Sequence, residues 1–136
     1  MLSVSEYCAS LAKIFGRGPV LRYPKIARDR TVFLACATAS LAQGQQYSET
    51  EINGTLGSWL KSKDALEAID HVTLRRYLID TGFLGRAKNG ADYNVISSAL
   101  ALAIEPDALR LRVEDVLRNS EEERLERKKA WEAQKD

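Results

Sequence analysis

Two adjacent arginines, Arg75 and Arg76, stand in a short amphipathic stretch with Thr73 just before them, and two further cations, Arg86 and Lys88, follow closely. On a helix, guanidinium groups can grip guanine edges bidentately in the major groove, and a threonine hydroxyl can bond a base or a phosphate. Cations on an adjoining hairpin suit phosphate, whose contacts position a protein without reading sequence. A third basic group, Arg22, Lys25 and Arg28, flanks Tyr23-Pro24 upstream, where an arm would lie. The candidate nucleic-acid-binding residues are therefore Thr73, Arg75, Arg76, Arg86, Lys88, Arg22, Lys25 and Arg28. The competing reading is that Arg75 and Arg76 brace their helix against Glu49, Glu51 or Asp80, because a guanidinium fork meets carboxylates as readily as phosphates. Asp80 lies one helical turn beyond Arg76 and puts a negative charge where DNA would lie.

Other chemistry finds less support. His71 is the only histidine, and without a second His or Cys beside it no metal site begins there; it reads as a first-turn helix residue. Asp70-His71 has the types of an acid–base pair but neither a nucleophile nor a cleft to serve. Cys8 and Cys36 lie in apolar surroundings, which points away from a disulfide framework and towards a reduced, cytoplasmic setting. Tyr47, Tyr77 and Tyr93 alternate with Leu and Val as packing residues do, not as a platform on which bases stack. A non-enzymatic protein without cofactor or metal is the expectation.

These side chains need elements to hold them. Asp70 is an N-cap candidate for a helix of about 11 residues, an ordinary length, and Gly82 stands where a helix turns left-handed to stop. A helical wheel puts His71, Leu74, Tyr77, Leu78 and Thr81 on one face and Thr73, Arg76 and Asp80 opposite, with Arg75 at the margin beside Val72 and Ile79. After Gly82, Phe83 and Leu84 would enter the core. Asn89-Gly90 signals a two-residue hairpin, and Tyr93 and Val95 alternate as a half-buried strand does. Helix, stop, strand, turn and strand in that order is the second half of a winged helix-turn-helix.

Upstream, Val4, Tyr7, Cys8, Leu11, Ile14 and Phe15 recur at helical spacing behind Ser3, and Gly16 to Pro19 end the pattern. That apolar face needs a partner surface, in this chain or another. Alanine-rich Thr31 to Gln43 predicts the first helix of a trihelical core, with Gly44 as its stop. Ser48 and Glu51 form a capping box opening a second helix through Ile52, Leu56, Trp59 and Leu60. Gly54 and Gly57 within it predict a short helix or close packing on a neighbour. Downstream, Ser97 is a cap candidate for a short helix, and Pro106 opens another with Leu109, Val113, Val116 and Leu117 on one face. A second capping box, Ser120 to Glu123, predicts that the tail restarts as a separate solvated helix, too poor in apolar residues for a coiled coil.

With 136 residues, 45% hydrophobic and 29% charged, the chain can bury one modest core. The net charge of +1 hides some unevenness: residues 16–95 carry 11 Lys/Arg against 8 Asp/Glu, or +3, while residues 105–136 carry 8 against 10, or −2. Dedicated nucleic-acid binders are usually more basic. Glu6 and the lack of an early basic stretch argue against a secretory signal, and the longest uncharged run, Thr31 to Ser48, is too broken for a membrane span.

The runs Tyr47-Ser48-Glu49-Thr50-Glu51-Ile52-Asn53 and Asp70 to Arg86, with the following Tyr93, resemble the bacterial domain-of-unknown-function family 2087. Arg22-Tyr23-Pro24-Lys25 is similar to that family's basic, proline-containing entry segment. The resemblance spans Ile14 to Val95. It implies a winged-helix-like domain, found alone or attached to helix-turn-helix domains and hence regulatory, and it brings no catalytic residues. Gly57 to Ile69 is longer than the family's pattern, and the first helix and the tail are additions to it. The expectation is a mainly α chain with a small β wing: an N-terminal amphipathic helix (1–18), a winged helix-turn-helix-like domain (19–95) and a charged C-terminal helical extension (96–136). Expected partners are duplex DNA or, alternatively, a protein or second copy bound through the first helix or the tail.

Overall fold

The computed structural model describes residues 1–135. Its order is α1 (Val4–Phe15), α2 (Ala27–Ala39), α3 (Glu49–Ser62), α4 (His71–Asp80), β1 (Leu84–Arg86), β2 (Tyr93–Val95), α5 (Ser97–Ala103), α6 (Pro106–Leu109) and α7 (Val113–Ala133). The protein is thus mainly helical with one small antiparallel sheet, in which Leu84 faces Val95 and Arg86 faces Tyr93. Tyr47, between α2 and α3, pairs with Tyr93 through reciprocal backbone bonds of 2.8 and 2.7 Å. Three helices, a strand position between the first and second, and a two-stranded wing after the third make the winged-helix arrangement.

The local rules explain most boundaries. Ser48 and Glu51 cap α3 reciprocally, at 3.1 and 3.0 Å, and Ser3 with Glu6 does the same for α1. The Asp70 carboxylate accepts from the Thr73 N–H at 2.7 Å, and Gly82 takes φ +83°, a conformation that costs glycine little. Other expectations shift. Helix α2 begins at Ala27 and stops at Ala39, so Gly44 turns a loop and does not end the helix. Helix α3 is neither short nor closely packed at its glycines, for nothing lies within 4 Å of a Cβ built on Gly54 or Gly57. The wing turn is longer than two residues: Ala87 donates to the Asp92 carbonyl at 2.7 Å, and the Asn89 side chain accepts from the Ala91 and Asp92 N–H groups within the loop. Helix α5 starts at Ser97 without a side-chain cap. The segment opened by Pro106 breaks at Arg110 to Arg112, and α7 then runs unbroken through Ser120, so that capping box does not form.

One core, as the composition leads one to expect, runs through the first helix, the middle of the chain and the C-terminal extension. Tyr7, Leu11 and Phe15 of α1, Val32 to Ala37 of α2, Leu56 and Trp59 of α3, Leu74 and Leu78 of α4 and Val116 of α7 belong to a single buried cluster. Phe33 joins it to the aromatics, 5.2 Å from Trp59 edge-on and 5.9 Å from Phe15 stacked. The apolar face of α1 is therefore covered within the chain, against α2 on one side and α6 and α7 on the other. Leu2 bridges Ile104 in parallel and Val4 N–H donates to the Glu105 carboxylate at 3.0 Å, tying the amino-terminal residues to the segment before α6. A buried polar lock completes the joint: Asp29 accepts from Ser10 at 2.9 Å and pairs with Lys13 at 2.8 Å. No helix among the described residues is long and apolar enough to cross a membrane.

Candidate nucleic-acid interface

The face in question is built from the outward side of α4 and the wing that follows it. Leu74 and Leu78 are fully buried and Arg76 and Asp80 are exposed, as the wheel requires, but Thr73, which the wheel put on the outward face, is half-buried, and Val72, put at the margin, is exposed. Arg76 is exposed, its guanidinium 5.8 Å from the Tyr77 ring. Among the described residues no carboxylate lies within 4 Å of it. Arg86 and Lys88 are exposed on the wing, where Arg86 donates to the Gly90 carbonyl at 3.3 Å.

Arg75 behaves differently. Its Nη1 donates to Asn53 Oδ1 at 2.7 Å and lies 3.5 Å from a Glu49 carboxylate oxygen, both on α3, and its side chain is only 16% exposed. The guanidinium also sits 5.5 Å from the Tyr93 ring centre, with Arg86 5.6 Å from the same ring. Arg75 thus ties α4 to α3 and to the wing, and the bracing reading holds for it while Arg76 stays free to meet solvent. The wheel placed Arg75 at the margin, but it does not reveal that Asn53 and Tyr93 converge there from distant parts of the chain.

The arm divides as well. Tyr23 packs against Tyr77 of α4, ring centres 5.2 Å apart, and edge-on against Phe33 at 5.5 Å. That contact brings Lys25 beside the end of α4. Arg28 turns the other way: its Nε donates to Ser10 on α1 at 3.1 Å. Arg22 is exposed and makes no side-chain hydrogen bond or ion pair among the described residues. Of the eight candidates, Thr73, Arg76, Arg86 and Lys88 belong to α4 and the wing, Lys25 borders the end of α4, Arg75 is engaged inside the fold, Arg28 is exposed but tied to α1, and Arg22 is exposed on the arm.

Negative charge also faces this region. Glu49 is largely exposed at the start of α3 and Asp80 is exposed at the end of α4. The Glu51 carboxyl is held below its usual range by the Ser48 N–H and hydroxyl of the capping box, and that of Asp70 by the Thr73 N–H, so both stay ionised at neutral pH. His71 occupies the first turn of α4. No group of three or more potential metal ligands occurs among the described residues. Cys8 and Cys36 are free thiols, with burial pushing Cys36 up to about 11.

A family model described as "Uncharacterized protein conserved in bacteria (DUF2087)" matches residues 20–95, from the arm to the end of the wing. No curated protein and no solved structure matches the chain.

Proposed function

The chain belongs to this family of uncharacterized bacterial proteins (DUF2087), which covers more than half of it, and from that premise we propose that it is a non-enzymatic regulator whose winged helix binds duplex DNA. The observation that carries the reading is Arg76, exposed on the outer face of α4 with the wing cations Arg86 and Lys88 following it. A helix of this kind enters the major groove while the wing touches the backbone. Arg76 and Thr73 would meet base edges or phosphates, Arg86 and Lys88 the flanking phosphates, and Lys25 the strand nearest the end of α4. Arg75 serves this surface indirectly, by setting the angle between helix and wing. Near-balanced charge around the face fits weak non-specific affinity, with recognition resting on a few base contacts.

Anisotropy of a labelled duplex titrated at several salt concentrations tests the proposal. Arg76→Ala and Arg86→Ala should each flatten the salt slope by about one phosphate contact. Absence of binding to random or genomic duplexes at about 50 mM salt, where phosphate contacts are strong, would remove DNA from its function.

A second reading, a protein-interaction module on the same fold, draws on the outer half of α7. There Leu125 and Trp131 are 44% and 61% exposed. The first helix does not serve this reading, since α2 and α7 already cover its apolar face.

A further inference from the structure

Beside the end of α4 the arm does not close onto the helix, and a cleft of about 660 Å³ remains between the arm, α2 and α4. That volume lies within the range of small-molecule sites. The aromatic wall is fixed in advance: Tyr23 is wedged between Phe33 and Tyr77, and the proline after it holds its backbone extended. Burial pushes the Tyr23 hydroxyl up to about 12, so it stays protonated and able to donate. Two cations, Lys25 on the arm and Arg30 on α2, line the same cleft. Arg30 donates to the Lys25 carbonyl, which holds the two together. No carboxylate lies within salt-bridge distance of either among the described residues. Asp80 of α4 and Thr81 next to it line the same cleft, and among the described residues Asp80 likewise has no ion-pair partner.

We propose that this cleft is a binding site for a small planar carboxylic acid that carries a hydrogen-bond donor at its opposite end, an aminated or hydroxylated aromatic acid being the simplest member of the class. The ring lies against Tyr23 and Tyr77, in the offset or edge-on contacts aromatic pairs adopt. The ligand carboxylate faces Lys25 and Arg30, where a charge-assisted bond to a guanidinium is strongest, and its far donor meets Asp80. Pairing both ends leaves no charge uncompensated in the cleft. The assignment does not depend on DNA binding, and its test involves no nucleic acid.

The test is a titration of the full chain with 4-aminobenzoate, followed by amide NMR shifts, with aniline and benzamide as analogues lacking the carboxylate. Saturable shifts confined to the arm, the first turns of α2 and the end of α4 are expected for 4-aminobenzoate, with no saturation by either analogue. Lys25→Gln, an exposed position whose replacement leaves the core intact, should weaken binding about tenfold. An unsaturated response at about 10 mM ligand, equal binding of the analogues, or undiminished affinity in Lys25→Gln with a native-like amide spectrum would each overturn the site.

Discussion

The Arg75 guanidinium lies over the buried ring of Tyr93 at 5.5 Å while its Nη1 bonds Asn53 at 2.7 Å. One side chain therefore joins the middle of α4 to β2 and to α3, the three elements whose relative angle defines a winged helix. The relationship explains why two neighbouring arginines, alike in sequence, divide into a positioning residue and a residue available to a partner.

Arg75→Ala should lower stability by about 2 kcal/mol, because it removes a charge-assisted hydrogen bond and a cation–ring contact and leaves Asn53 without its partner. Arg75→Lys should restore less than half of the loss, since an ammonium cannot lie flat on the ring and reach Asn53 together. Arg76→Ala should stay within about 0.5 kcal/mol of the native chain, as exposed sites away from such contacts do. Urea unfolding of the three variants checks this. Equal losses for Arg75→Ala and Arg76→Ala would show that the division between them is wrong.

How much of this was legible beforehand follows from the range of each interaction. Ser48 with Glu51, Asp70 with Thr73, and Gly82 act within a few residues, so α3 and α4 could be opened, and α4 closed, from the sequence. The wheel separated Leu74 and Leu78 from Arg76 because helical period alone decides that. Arg75 could not be resolved, since its partners Asn53, Glu49 and Tyr93 come from other elements. The partner of the α1 face was hidden for the same reason: Val116 and Leu117 lie about a hundred residues downstream, on a helix whose other face is plainly solvated. Ser120 and Glu123 matched a capping box, but local capping gives way when the chain is already helical on both sides.

Truncation distinguishes the two ends. Removing residues 1–15 strips Tyr7, Leu11 and Phe15 from the core, at 2%, 0% and 8% exposure, and should prevent cooperative unfolding, since losses of several kcal/mol approach the whole stability of a small domain. Ending the chain after Arg124 removes Leu125 and Trp131, both exposed, and should leave the melting temperature within about 2 °C of the full chain. Thermal melts followed by circular dichroism read both. A large loss from the C-terminal truncation would mean that the outer half of α7 packs on something in solution, which favours the protein-interaction reading.

The buried Asp29 gives the protein an acid limit. Burial alone raises its pKa, but the hydrogen bonds from Lys13 and Ser10 and the charges of Lys13 and Arg28 outweigh that and hold the carboxyl below its ordinary 3.8. A group whose folded pKa is depressed contributes stability above its unfolded value and loses it as pH falls through the folded one. The native chain should therefore lose stability below about pH 4 more steeply than Asp29→Asn, and at neutral pH that variant should be about 1–2 kcal/mol less stable. Urea midpoints from pH 7 to pH 3 check the sign. An Asp29→Asn midpoint that falls in parallel with the native one would place the acid sensitivity elsewhere.

Gly54 inside α3 and Gly82 just beyond the end of α4 should respond in opposite directions to the same substitution. Gly54 lies inside a helix, and a Cβ there meets nothing within 4 Å, so Gly54→Ala should raise stability by about 0.5–1 kcal/mol through the lost freedom of the unfolded chain. Gly82 ends α4 at φ +83°, where a Cβ strains the backbone, and Gly82→Ala should cost about 1–2 kcal/mol. The pair is informative because the sequence reads Gly54 as a weak point within a helix and Gly82 as the stop of one, and the same substitution tests both readings. A gain at Gly82 or a loss at Gly54, measured by urea unfolding, would mean that the turn into the wing, or the packing of α3, differs from that described. With a stabilised α3 that leaves Arg76 and the wing untouched, duplex affinity should not change, and a loss of binding in Gly54→Ala would place part of the interface on α3.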